Sequence, residues 1–123
     1  MVDYLTYFLD LLKRMNLEIK VLCLDRGFYS IDVFEFLQRN NVPHIVPVIK
    51  RGKQMIQILK GIKARSEQYV MKNSMKKILL DIIIDVKYLK GKRGKKGREN
   101  LGFVVFGVKW SPRKVSTVYR KLS

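Results

Sequence analysis

The sequence predicts an α/β fold: helix, strand, helix, strand, followed by a β-rich basic segment and a closing helix. Three observations carry that reading. Residues 19–49 hold an apolar run, a helical stretch and a second apolar run, the pattern of a βαβ unit. Three β-like runs follow between residues 68 and 110. Ser111-Pro112 then supplies a helix start, an N-cap followed by proline at the first helical position.

The elements follow in order. Residues 3–15 (DYLTYFLDLLKRM) read as a helix with Tyr4, Phe8, Leu11, Leu12 and Met15 on its buried face. Lys13 and Arg14 fall in its last turn, where the helix dipole favours cations, and Asn16 is the expected stop. Ile19–Leu24 is a short run, apolar on both faces from Val21 onward, as a buried parallel strand would be. It ends at the turn Asp25-Arg26-Gly27. Ser30 is a good N-cap for a second helix over 31–40, with Asp32 and Glu35 near its start. Either Ile31, Phe34 and Leu37, or Val33 and Leu37, form its buried face. Asn40, Asn41 and Pro43 close it, and His44–Ile49 reads as a strand that Pro47 demotes to an edge or a strand end. The strand–helix–strand crossover is expected to be right-handed.

Beyond Lys50 the character changes. Residues 53–64 suggest a helix with Met55, Ile58, Leu59 and Ile62 on one face. Gln68–Met71, Lys77–Leu89 and Leu101–Trp110 are the β-like runs. The last two flank KGKRGKKGREN (90–100), which reads as a long hairpin tip too basic to pack. The closing helix runs from Pro112 towards Ser123.

Composition narrows the function classes. The chain has 123 residues, enough for one domain or less, and is 47% hydrophobic and 29% charged, which excludes a disordered or fibrous chain. No stretch reaches the ~18 apolar residues of a membrane span, and no secretory signal is visible. One cysteine excludes an internal disulfide and suits a reducing cytoplasm. Charge is the dominant fact, at 26 Lys+Arg against 10 Asp+Glu. Residues 1–49 hold 5 basic and 6 acidic residues, whereas residues 50–123 hold 21 basic and 4 acidic. So one-sided a field favours a polyanion through neutralised phosphates and released counterions, DNA and RNA alike.

Asp25 is the leading candidate for chemistry. It stands at the C-terminal end of a predicted parallel strand, where open α/β sheets place ligand-binding groups. A carboxylate there, followed by a glycine that keeps the turn tight, either helps to hold a divalent metal or merely caps the turn.

The block LDRGFYSIDVFEFLQRNNVPHIVPVIKRGK (24–53) resembles the second catalytic-aspartate block of DDE-class insertion-sequence transposases, which are RNase H-like enzymes. The matching residues are Asp25, Arg26, Gly27, Phe28, Tyr29, Ser30, Pro43, Pro47, Val48, Lys50, Arg51 and Gly52. More weakly, the resemblance extends through 68–110 to VYRKLS (118–123). It implies a partial RNase H-like catalytic domain over residues 1–123. Residues 1–52 would be the βαβ core with its leading helix, 53–110 a helix and β-rich basic insertion, and 111–123 the start of the helix bearing the family's Glu.

In that family three carboxylates hold two Mg²⁺ (or Mn²⁺) ions for DNA strand cleavage and transfer. Carried over by motif, Asp25 is the second Asp and the one metal-ligating residue. Upstream, Asp3, Asp10 and Glu18 do not suit the first Asp. The family's Glu closes a pattern Tyr-x-x-Arg-x-x-x-Glu; with Tyr119 as its Tyr, Leu122 takes the Arg position and the Glu falls beyond Ser123. Glu99, inside the basic hairpin, is a poor substitute. The expectation is therefore a truncated domain with one carboxylate of three, which binds metal weakly and has no cleavage activity alone.

Among the remaining residues, Arg26, Lys50 and Arg51 lie near strand C-termini, as phosphate contacts or a solvated rim. Lys90, Lys92, Arg93, Lys95, Lys96 and Arg98 with the glycines between them suit a DNA backbone without sequence readout, or form a solvated loop. Cys23, Phe103 and Trp110 are expected in the core, and lone His44 has no partner spacing for zinc. The expected partners are DNA, as transposon ends or nonspecific duplex, and an intact transposase, with no membrane. Two rival readings stand beside DNA transposition and recombination: a non-enzymatic basic RNA- or ribosome-associated protein, and a regulatory fragment that inhibits an intact transposase.

Overall fold

The computed structural model describes residues 2–17, 19–90 and 96–122. One mixed five-stranded sheet forms the centre, in the order β1-β2-β5-β4-β3. Helix α1 (Val2–Arg14) leads into β1 (Leu22–Cys23), a single 3₁₀ turn (Arg26–Phe28), α2 (Ile31–Arg39) and β2 (His44–Pro47). Then come α3 (Lys53–Ile58), β3 (Arg65–Lys72), β4 (Lys77–Lys90), β5 (Lys96–Phe106) and α4 (Pro112–Leu122). β1 and β2 are parallel, and every other pair is antiparallel.

Two layers of side chains sandwich the sheet. On one face Phe34 of α2 and Met55 of α3 pack on Val46, Ile82, Ile84 and Val104. Beside them, Leu5 of α1 meets Val33, Leu37 and Val42. On the other face Val115 of α4 packs on Ile45, Phe103 and Val105. Each fully buried Leu, Ile or Phe contributes roughly 1.5–3 kcal/mol. Ser30 caps α2 as expected, its Oγ accepting from the Val33 N–H at 3.3 Å. Both faces proposed for α2 are buried, because this helix lies between α1 and the sheet.

Four expectations are corrected. The apolar face of α1 is rotated: Leu5 is buried, while Tyr4, Leu11 and Met15 are exposed. This helix is apolar over most of its circumference, so the fit against Val33 and Leu37 selects the face. The helix expected over 53–64 stops at Ile58, and Ile62 is exposed. There the Arg65 guanidinium gathers the carbonyls of Ile58, Lys60 and Lys63, and Asn100 Nδ2 takes those of Leu59 and Gly61, so the next turn has no free carbonyls. The strand expected over His44–Ile49 stops at Pro47, which marks a strand end, as one of its two readings had it, and not an edge, since β2 is paired on both sides.

The fourth correction concerns the basic hairpin. Residues 90 and 96–100, expected in a long loop, are strand, and pairing runs out to Lys90 opposite Lys96. Tyr88 faces Arg98, and Lys87 faces Glu99, an opposite-charge pair of the kind that supports a ladder. Lys92, Arg93 and Lys95 lie outside the described residues. Because β5 pairs directly with β2, a single sheet runs through both the acidic and the basic parts of the chain.

Candidate nucleic-acid groove

Asp25 lies two residues past β1, at the C-terminal end of the one described parallel pair. Its side chain caps the 3₁₀ turn, Oδ1 accepting from the Gly27 N–H at 2.8 Å. That turn sets Arg26 beside the end of β2, and both residues are exposed. Asp25, Arg26, Gly27, Pro47 and Tyr119 line an open depression.

Helix α4 forms the opposite wall, and its position is over-determined. Ser111 Oγ accepts from the Lys114 N–H at 3.2 Å, fixing the helix start. Arg113 lies 3.5 Å from the buried carboxylate of Asp85 on β4. At the far end the Tyr119 hydroxyl donates to the Leu24 carbonyl at 3.0 Å, and its ring packs against Phe103. Burial, then the nearby Asp25 carboxylate and Cys23, push the Tyr119 phenol up, with Arg26 opposing. The phenol therefore stays protonated and keeps its bond to the Leu24 carbonyl just past β1.

Between this wall, the end of β2 and the middle of β5 lies a cavity of about 260 Å³. Its floor includes Pro47, Val48, Gly102 and Phe103, and Arg26, Lys50 and Arg120 stand at its rim with Glu99. Arg26, Pro47 and Tyr119 are shared with the depression around Asp25, so the two form one groove. Three cations with two bordering carboxylates suit a phosphate-bearing chain that passes Asp25.

Several expected residues lie elsewhere. Arg51 is exposed just beyond β2 and lines neither part of the groove. Arg98 alternates with Glu99 along β5, so the two point to opposite faces of the sheet, and only Glu99 reaches the groove. Lys90 and Lys96 are placed by their backbone at the outer end of the hairpin. Arg120 was missed from sequence. Its signal is helical spacing, four residues after Ser116, which also lines the cavity.

The other candidates resolve as packing. His44 is buried, with Nδ1–H donating to the Val42 carbonyl at 2.7 Å. Half-buried Cys23 packs on the α4 side, where burial pushes its thiol up. Phe103 is buried, and half-buried Trp110 carries the Lys114 ammonium 4.7 Å from its ring centroid.

The donor set does not fit a two-metal centre. One oxygen of Asp25 is engaged by the Gly27 N–H, and Glu99 is the other carboxylate bordering the groove. Among the described residues, no group of three His, Cys, Asp or Glu side chains is placed to hold a cation. No described helix is long and apolar enough to cross a membrane.

No curated protein and no solved structure matches this chain. The family model described as "Transposase DDE domain" matches residues 2–121.

Proposed function

The chain belongs to the transposase DDE domain family, and from that premise we propose that it binds duplex DNA along the groove beside Asp25 without performing strand cleavage alone. The family's function is DNA transposition, a reaction that generally uses divalent metal. The observation that carries the binding reading is the convergence of Arg26, Lys50 and Arg120 on one groove at the end of the parallel strand pair. In this reading Asp25 is the second Asp of the family's set, and the helices and sheet belong to an RNase H-like fold. The mixed α/β architecture supports that assignment, with its parallel pair joined by α2 and its strand end carrying the Asp.

The residues then act as follows. Arg26 and Arg120, planar and multidentate, hold adjacent phosphates, and Lys50 contributes a point charge between the strand ends. Tyr119 fixes the spacing of the two walls through its bond to Leu24. The outer hairpin, with Arg98 on the far face, adds backbone contacts that carry no sequence information. With Asp25 and Glu99 the carboxylates that border the groove among the described residues, the chain's own residues bind and orient DNA.

Single substitutions test the assignment. Arg26→Ala, Lys50→Ala and Arg120→Ala should each weaken duplex binding and lower the salt slope by about one. Arg51→Ala, outside the groove, should do less. Fluorescence anisotropy over a series of salt concentrations reads both quantities. Equal effects at all four positions would remove the groove from the account.

A further inference from the structure

A second cleft, of about 600 Å³, opens near the start of β2, at the other end of that strand from the groove. Helix α4 begins beside this cleft and reaches the groove with Tyr119 and Arg120. Ser66 of β3 stands opposite Ile83 of β4, and Gln68 opposite Asp81. These four side chains therefore share the face of the sheet on which α4 packs. Ile83 and Val105 make an apolar floor, Trp110 one wall and Ser66 the other, with Asp81 and Lys109 exposed at the rim.

The tryptophan wall is held from both sides. Gly107 turns the chain out of β5 at a φ of +82°, where a Cβ would also lie 2.9 Å from the Pro43 Cα. Ser111, directly after Trp110, caps α4 through the Lys114 N–H. Between these anchors the indole packs with Val105 and Val115 yet is only half-buried. The Lys114 ammonium, 4.7 Å from the ring centroid, does not line the cleft.

Asp81 stands out because the surrounding part of the chain is strongly cationic, yet among the described residues it makes no ion pair. A carboxylate accepts hydrogen bonds only, and an indole face stacks flat rings. Together they suit a planar aromatic guest with two donors side by side. We propose that this cleft binds a guanine base, its ring stacked on Trp110 and its N1–H and N2–H groups donating to the Asp81 carboxylate.

The donor pattern selects guanine over the other bases. Thymine N3–H lies between two carbonyls, and adenine and cytosine set a ring-nitrogen acceptor beside their amino group. Each would turn an acceptor towards a group that only accepts. Guanine alone places two donors together, matching the two oxygens of one carboxylate. The Ser66 hydroxyl, free to rotate, donates to O6, and Lys109 meets a phosphate at the rim. The base comes from a free nucleotide or from an unstacked guanine of a DNA strand, and the recognition is the same. The site shares no residue with the groove, so its test does not depend on DNA binding there.

Trp110 is the only tryptophan of the chain, so its fluorescence reads this cleft directly. Titration of the full chain with guanosine, adenosine, cytidine and thymidine, all uncharged, tests the proposal without a contribution from phosphate. Guanosine should quench the emission with a dissociation constant about tenfold or more below those of the other three. Inosine, which lacks the 2-amino group, should fall back towards them. Asp81→Asn should lose most of the preference and Asp81→Ala all of it, at an exposed position and with far-UV circular dichroism unchanged. A duplex carrying one unpaired guanine then identifies the source: competition with guanosine assigns the site to a DNA strand, and its absence to a free nucleotide. No quenching, equal quenching by all four nucleosides, or a guanosine preference that survives Asp81→Ala overturns the proposal.

Discussion

His44 shows how one residue ties stability to pH. Its ring is fully buried between Phe34 and Phe106, with centroids 6.0 and 5.5 Å away. Nδ1–H is spent on the Val42 carbonyl, and Nε2 is buried without a partner. A proton on Nε2 would place a charge in that apolar stack, so burial pulls the imidazole below its ordinary value of 6.5, and the Val42 carbonyl opposes only in part. The folded chain therefore refuses a proton that the unfolded chain accepts. Stability is full above the ordinary value, falls as pH drops through it, and levels once the lowered folded value is passed. The slope in that window reaches about 1.4 kcal/mol per pH unit. Urea unfolding at about pH 7.5 and about pH 5.5, where few carboxylates titrate, should show the loss in the native chain and little of it in His44→Leu.

At the scale of elements, β5 decides the architecture, since it joins β2 to the long hairpin. Gly102 lets it pass under α3: a Cβ there would lie 2.5 Å from a Leu59 methyl and 2.8 Å from one of Val48. Gly102→Ala should destabilise by about 1–3 kcal/mol, the usual cost of overpacking a filled core. A denaturation midpoint unchanged by that substitution would mean that Leu59 swings aside freely. The same strand shows what sequence reading reaches. Phe103–Phe106 is apolar and legible as strand, but Lys96–Asn100 is charged and glycine-containing and by composition reads as loop. What makes it strand is its partner, Tyr88 and Lys87 in the other arm, information that local composition does not hold. Likewise Ser30, Pro43 and Pro112 announced their helix ends, because caps and prolines act locally. The early end of α3 depends on Arg65 and Asn100, two side chains from later strands. At the groove, Asp25, Arg26 and Lys50 were legible from their place at strand ends. Arg120 was not, because its place at the groove depends on how α4 packs across the sheet.

Over the whole molecule, the uneven charge becomes a division of surfaces. The nearly neutral first part supplies α1, α2 and the strand pair β1 and β2, and the cationic part supplies the hairpin and α4. The groove lies where they meet, with Arg26 from one and Lys50 and Arg120 from the other. If phosphates bind there as proposed, they neutralise charge that otherwise repels within one small domain, so DNA should also raise the unfolding midpoint.

The central claim is that this transposase domain chain binds DNA by charge and does not cut it. The most direct measurement is equilibrium binding of a labelled duplex across salt concentrations, with the same samples incubated with Mg²⁺ and run on a denaturing gel. The account predicts that log K falls with log salt at a slope of about −3 or steeper, from at least three phosphate contacts, with the strands intact. Binding indifferent to salt would contradict it, as would Mg²⁺-dependent nicking that disappears in Asp25→Asn.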